Sequence, residues 1–389
     1  MRVIMLLGPS TGGVGTHVAQ LSADLRRRGV DVLVVTHPLT AEHFELGAVQ
    51  ACWPGSAGMV HASRDLRLLR RLVSTADIVH AHGHQGGLLA ALSTLALAEP
   101  PKVIVSLHNA ILAGGRRQVL KRLSQRWVAR HADLVTGASS DLVSEALAAG
   151  AGRAELAEVP SPRVPELLAR PPADAATRLR TRQALLASIG LGLHPDVHPD
   201  VHPDVLPDQE PDSAVPLIVT ISRIAPQKNL PILVRAASAL GQKCTWVVIG
   251  DGDPRLLARL RQEVRTLAAP VYFVGSLREV DQWLRAAEVF VLPSQWEARA
   301  LVVQEAMAAG TPVVATDVGG LHDLVAGTGL LVPPGDPEAL AEAADRVLAD
   351  PGLREDLVAR GRQAARALPD GSDTVSRWLA WYSETVRMT

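Results

Sequence analysis

Two carboxylates, Glu297 and Glu305, are separated by seven residues in the run Trp296-Glu297-Ala298-Arg299-Ala300-Leu301-Val302-Val303-Gln304-Glu305, which continues through Ala306 to Gly310. An apolar run ending at Pro293 precedes it, and Gly310 is a helix stop signal. The spacing therefore predicts a strand, a loop holding Glu297 and a helix from near Ala300. The first N–H groups of such a helix are unpaired and attract an anion. Glu305, farther along, could accept hydrogen bonds from a ribose. Without a ligand, the same residues read as two solvated carboxylates.

Ser222-Arg223-Ile224-Ala225-Pro226-Gln227-Lys228-Asn229 follows another β-branched run. Arg223 and Lys228 combine a planar guanidinium fork with a point charge around a turn, a pair suited to holding a diphosphate without a metal. Ordinary exposed basic residues would look the same. Near the N-terminus, Gly8-Pro9-Ser10-Thr11-Gly12-Gly13-Val14-Gly15-Thr16-His17 leads into the amphipathic run Val18 to Arg27. Glycines there let backbone N–H groups approach a phosphate or sugar at a helix start. The loop lacks the lysine of a P-loop. Thr36-His37-Pro38 stands where the acidic residue of a dinucleotide fingerprint would close the second strand, so a tight turn explains the loop as well. Ser106-Leu107-His108-Asn109 sits at the C-terminal end of a predicted strand, where open α/β sheets collect ligands. His108 could donate a hydrogen bond or titrate near neutrality; a satisfied structural histidine is the plainer reading. His80, His82 and His84 alternate like strand residues and could line the same cleft.

Such residues need a scaffold that gathers strand ends. Short apolar or β-branched runs recur at 3–7, 32–36, 78–80, 103–107 and 134–136, and again at 217–221, 246–249, 271–274, 289–292, 312–315 and 329–332. Helical spacing or loops separate them, which indicates parallel sheets with crossover helices in two doubly wound halves. Val159-Pro160-Ser161-Pro162-Arg163-Val164-Pro165, with fixed φ angles and missing donors, suits the crossing between them. The expected domains are 1–162, joined by a returning helix at 373–389, and 163–372. Val375, Trp378, Leu379 and Tyr382 fall at helical spacing and read as the packing face of that helix.

After a predicted helix at 175–189, the tetrapeptide His-Pro-Asp-Val repeats from His194 and decays by Asp208. A proline every fourth residue forbids a regular helix, so 194–208 reads as a low-complexity loop. His194, His198 and His202 could bind a metal; an expanded surface loop is favoured because nothing pre-organises the ligands.

The chain has 389 residues, 47% of them hydrophobic, enough for two cores, and a formal net charge of −1, which excludes the footprint of a dedicated nucleic-acid binder. Cys52 and Cys244 are the only cysteines, a pattern that fits a reducing cytosol rather than a disulfide framework. The opening apolar run is too short for a signal peptide and reads as a strand. The stretch around Leu88 to Ala98 falls short of the ~20 residues that span a bilayer.

Taken in order, the Gly-rich first loop, His108, the Arg223 and Lys228 pair, Gly250-Asp251-Gly252-Asp253-Pro254, the two glutamates, Gly319-Gly320 and Leu331-Val332-Pro333-Pro334-Gly335-Asp336 resemble the large retaining glycosyltransferase family four. The resemblance spans essentially the whole chain. It implies the GT-B architecture: two Rossmann-like domains with a cleft between them, the first on the acceptor side, the second binding a nucleotide sugar. It further implies a hexosyltransferase-type enzyme that uses a UDP- or GDP-sugar, with no cofactor or metal. Arg223 and Lys228 would hold the donor diphosphate and neutralise the leaving group. Glu297 would contact donor-sugar hydroxyls, Leu301 and Val302 would present N–H groups to the phosphates, and Glu305 would hold the ribose. Gly12 and Gly13 would let the first loop close on the donor, and His108 would sit beside the anomeric centre. With no carboxylate placed as a nucleophile, front-face attack assisted by the departing phosphate is the expected mechanism.

The chain departs from the family's habit in three places. Ala298 and Ala300 replace the usual glycines, Arg299 stands where an aromatic is common, and Ser161-Pro162 replaces Asn-Gly after the hinge strand. Asn229 after the lysine is one of the family's two usual choices. A catalytically silent nucleotide-sugar binder and a GT-B epimerase are the alternatives. The acceptor, a small molecule, glycan or lipid-linked group, falls to the first half. There Arg116, Arg117, Lys121, Arg122, Arg126 and Arg130 flank Val119, Leu120, Leu123 and Trp127. A basic helix packed by its apolar stripe is the simpler account, and peripheral contact of 116–131 with the inner face of a membrane by a cytosolic enzyme is the other.

Overall fold

A computed structural model describes residues 1–10, 12–54, 59–95, 97–109, 116–190 and 214–387. The repeat with His194, His198 and His202 lies outside the described residues. The chain divides into two compact units, Met1–Pro160 with Pro369–Thr389, and Ser161–Leu368.

The N-terminal unit is built on seven parallel strands: β1 (Arg2–Leu7), β2 (Asp31–Thr36), β3 (Val49–Ala51), β4 (Ile78–His82), β5 (Lys102–Leu107), β6 (Leu134–Gly137) and β7 (Ala154–Leu156), in the order β3-β2-β1-β4-β5-β6-β7. The central strands are apolar on both faces because helices cover both, as parallel sheets require. On one face Val3, Met5, Leu7, Ile78, Ile104 and Leu134 pack under Val18, Leu21 and Leu25 of the helix Gly13–Arg27. Val375, Trp378, Trp381 and Tyr382 of the C-terminal helix Gly371–Arg387 complete this core. Close approach explains one loop glycine: a Cβ on Gly15 would lie 2.2 Å from the Phe44 ring. The edge strands β3 and β7 have three residues each and no continuous apolar run, so hydrophobic spacing does not reveal them.

The C-terminal unit repeats the plan with six strands: β8 (Leu217–Ile221), β9 (Thr245–Ile249), β10 (Val271–Phe273), β11 (Val289–Leu292), β12 (Val313–Thr316) and β13 (Leu330–Val332), ordered β10-β9-β8-β11-β12-β13. Its two faces hold separate cores, one around Trp246, Leu233 and Leu340 and the other around Phe290, Met307 and Leu324. In each sheet the strand order reverses beside the first strand, at β1 against β4 and at β8 against β11. Such switch points leave a crevice at the carboxyl ends of the strands, where ligands bind. His82 closes β4 itself, and the loops leaving β1, β8 and β11 carry Gly12, Lys228 and Glu297.

Candidate functional site

In the C-terminal unit the loops after β8 and β11 are stitched together. The Gln295 N–H donates to the Gln227 carbonyl at 2.8 Å, and Gln227 Nε2 donates to the Trp296 carbonyl at 2.7 Å. The 3-10 turn Pro226–Lys228 ends at Asn229, whose φ of 52° is left-handed, a conformation that Asn and Gly adopt most readily. That turn delivers Lys228 Nζ to Oε1 of Glu297 as an ion pair, and Ser294 Oγ donates to the same oxygen at 2.6 Å. Thr316 Oγ1 in turn donates to the Ser294 carbonyl at 2.6 Å. The Glu297 carbonyl accepts the Gly320 N–H at 2.8 Å. Gly319 has φ +47°, and a Cβ there would stand 2.4 Å from the Glu297 carbonyl oxygen, so the close approach requires glycine.

The helix Leu301–Ala309 begins after Ala300, which has no side-chain oxygen to cap it. The N–H groups of its first turn, Leu301 and Val302 among them, lack intrahelical acceptors by geometry. Ala298 and Ala300 are buried, at 8% and 6% exposed, so their methyl groups are packed into the protein. One turn on, Glu305 and Gln304 both bond Ser161: Ser161 Oγ donates to Glu305 Oε1 at 2.6 Å, and the Ser161 N–H to Gln304 Oε1 at 3.0 Å. Desolvation raises the pKa of Glu305, and the Ser161 hydrogen bond opposes the rise. Arg223 is exposed and has no ion pair among the described residues.

In the N-terminal unit the face beneath the helices turns from apolar to polar towards the carboxyl ends of β4, β5 and β6. Alternation carries Ile78, Ile104 and Leu134 to His80, Ser106 and Thr136, and then to His82 and His108. His80 is sealed: its Nδ1 is 2.7 Å from Tyr382 Oη and its Nε2 2.7 Å from Ser106 Oγ, which bonds Thr136 Oγ1 at 2.8 Å. His82 Nδ1 lies 3.1 Å from His108 Nε2, and His17 of the first helix packs against both rings. Burial depresses all four imidazoles, His17 to about 4 and His108 to about 3. His108 is therefore neutral at pH 7 and does not titrate near neutrality. Among the described residues no group of three His, Cys, Asp or Glu is placed to hold a metal ion.

Gly12 precedes the first helix in extended conformation, and no described atom comes within 4 Å of where a Cβ would stand, so its backbone is open to approach. His84 lies in the first turn of the helix Gly83–Thr94 and bonds Ser124 at 2.9 Å, so it is not part of the strand-end cluster. The structure thus brings Lys228 to Glu297 in one unit and His82 and His17 to His108 in the other. Ser294 and Ser161 were not among the expected residues. The Ser-x-x-Glu spacing is the only sequence signal for Ser294, and none exists for Ser161 beyond its place in the crossing. On the helix Arg116–His131, Gln125, Val128 and Ala129 are buried while Leu123 and Trp127 are 55% and 37% exposed, beside exposed Arg122, Arg126 and Arg130. Leu123 and Trp127 are thus only partly used for packing. Among the described residues no helix is long and apolar enough to cross a membrane.

Residues 12–162 match the family model of the glycosyl transferase 4-like domain, and residues 215–350 match that of the glycosyl transferases group 1. A D-inositol 3-phosphate glycosyltransferase of Jonesia denitrificans is 32% identical, over 79% of this chain and 72% of its own length. The protein of the same name from Kineococcus radiotolerans is 28% identical over 97% of this chain and 91% of its own. Among solved structures, Anabaena HepE in complex with UDP and glucose superposes with a TM-score of 0.76 at 18% identity, covering 99% of this chain and 100% of that one.

Proposed function

Because the chain belongs to the family-four glycosyltransferases, with their GT-B fold, we propose that it is a cytoplasmic enzyme that moves a sugar, with retention at the anomeric carbon, from a UDP- or GDP-sugar to an acceptor hydroxyl without a metal. The observation that carries this reading is the convergence of Lys228 and Ser294 on Oε1 of Glu297. A carboxylate held on one oxygen by a cation and a hydroxyl keeps Oε2 for a donor-sugar hydroxyl, and the same lysine stands ready for a phosphate. Arg223, with no ion pair among the described residues to break, supplies the bidentate fork. The N–H groups of Leu301 and Val302 meet the phosphates at the helix start, and Glu305 accepts from the ribose. Gly12 and Gly13 allow the backbone to approach the donor.

In the reaction the anomeric C–O bond to the diphosphate breaks, and the acceptor oxygen bonds the same carbon from the same face. The acceptor proton passes to the departing phosphate oxygen. Arg223, Lys228 and the helix-start N–H groups stabilise the charge that collects on the diphosphate. His108, held neutral, donates a hydrogen bond to substrate oxygen next to the reacting carbon.

The test is a panel of UDP-, GDP- and ADP-sugars read by calorimetry and by product formation. UDP-glucose comes first because UDP and glucose occupy the HepE structure, and inositol phosphate is the first acceptor because of the relatives' names. Glycan and lipid-linked acceptors follow. If no nucleotide sugar binds or is consumed, the reading is wrong. Contact of 116–131 with a membrane surface belongs to the same reading, supported by exposed Leu123 and Trp127 among arginines. Sedimentation with anionic vesicles, against none with neutral ones, is its check.

A further inference from the structure

His82 ends β4, is 3% exposed, and has an enclosed Nε2 with no hydrogen-bond partner among the described residues. Its Nδ1 lies 3.1 Å from Nε2 of His108, and the two rings, with 5.4 Å between centroids and 17° between planes, meet edge to edge and nearly coplanar, as an in-plane hydrogen bond requires. His17 packs on both from the first helix, at 6.1 and 5.6 Å between centroids. Burial keeps these imidazoles neutral, so each carries one N–H. One proton therefore lies between His82 Nδ1 and His108 Nε2, and the two ways of placing it are unequal. With His108 as donor, the N–H of His82 would sit on the enclosed Nε2, an orphaned buried donor of the kind folded proteins avoid. With His82 as donor, only a lone pair faces that enclosure. His108 then accepts at Nε2, and its own N–H is on Nδ1.

We propose that His82 is a positioning residue of the transfer reaction, which by donating to Nε2 of His108 fixes that ring as an Nδ1–H donor towards the substrates. The inference rests on the reading of His108 as the group beside the reacting sugar. It assigns a direction to that group: His108 gives a hydrogen bond from Nδ1 and is unable to act as a base through Nε2. The neighbouring His80 does not share this role, because Tyr382 and Ser106 occupy both of its nitrogens. The two strand-end histidines thus divide the work. His80 ties the C-terminal helix to the sheet, and His82 sets the tautomer of the ring above it.

The tautomer of His108 is read by nitrogen NMR on the full-length, unliganded protein with labelled histidine. Wild-type protein is expected to show Nδ1–H. His82→Asn, whose amide nitrogen takes the place of Nδ1, should keep that form. His82→Gln and His82→Leu, which cannot donate from there, should release His108 to Nε2–H. In transfer assays His82→Gln and His82→Leu should lose about a hundredfold in kcat with the donor KM changed less than about threefold, while His82→Asn stays within about fivefold of wild type. Nε2–H on His108 in the wild type, or equal losses for His82→Asn and His82→Gln, would overturn the proposal. If the wild type transfers from no donor, the proposed function fails, and the tautomer measurement still decides for or against His82.

Discussion

Ser161 and Glu305 are 144 residues apart in the chain, yet the serine hydroxyl donates to the glutamate carboxylate at 2.6 Å in a buried setting. Ser161 stands between Pro160 and Pro162 at the start of the C-terminal unit, and the following proline holds it away from the helical region. The crossing segment therefore presents a hydroxyl and an N–H to the helix that carries Glu305. In this chain the residue pair that replaces the family's Asn-Gly also positions the expected ribose ligand.

Ser161→Ala would leave a buried carboxylate oxygen without its donor, which costs about 1–3 kcal/mol. Urea denaturation should show the midpoint falling with an unchanged slope, and calorimetry should show weaker binding of the nucleoside diphosphate. A wild-type midpoint would mean that the bond contributes nothing.

The side chains of Lys228 and Glu297 are 15% and 10% exposed, so removal of one strands the other. Lys228→Ala should destabilise by about 2–3 kcal/mol, somewhat below a fully buried pair, and the double variant with Glu297→Gln should cost less than the sum of the two single changes by about 1 kcal/mol or more. Strict additivity in that cycle would refute the coupling.

Arg223 offers the contrast. Being exposed and without an ion pair among the described residues, it should tolerate Arg223→Ala with a stability change within about 0.5 kcal/mol. Loss of its bidentate bonds should still weaken nucleoside diphosphate binding about tenfold. Unchanged affinity would remove Arg223 from the donor site.

Gly319→Ala places a methyl group 2.4 Å from the Glu297 carbonyl oxygen at a φ of +47°. The loop must shift, and a loss of about 2 kcal/mol or more is expected together with loss of donor binding. Thermal unfolding and a binding titration on the same sample check both parts.

The buried histidines predict an acid-sensitive fold. Their folded-state pKa values lie below the unfolded value of about 6.5, so the unfolded chain takes up protons first as pH falls. Stability should be full above pH ~6.5 and decline below it, by about 1.4 kcal/mol per pH unit for each such histidine, through the about 4 of His17. Denaturant titrations at pH 7.5, 6.5 and 5.5 measure the slope. A flat profile would show that the imidazoles are not desolvated.

Much of the architecture is legible in the residues themselves. The β-branched run Leu217 to Ile221 reads as a strand and is one, and Gly310 reads as a helix stop and takes the left-handed angles that end the helix. The strands Val49–Ala51 and Ala154–Leu156 are not legible, because three residues at a sheet edge gain their conformation from the neighbour they pair with.

For the candidate site the division is similar. Residue types and local spacing marked the candidate groups, Arg223 and Lys228 around one turn, Glu297 before a helix start, Glu305 one turn along it, and His108 at a strand end, and the family resemblance supplied the roles expected of them. Only the tertiary structure decided their partners. Lys228 meets Glu297 across 69 residues, Glu305 meets Ser161 across 144, and His108 meets His82 across 26. Such contacts follow from strand order, from parallel register and from which residues share a buried face, and none of these is a function of distance along the chain.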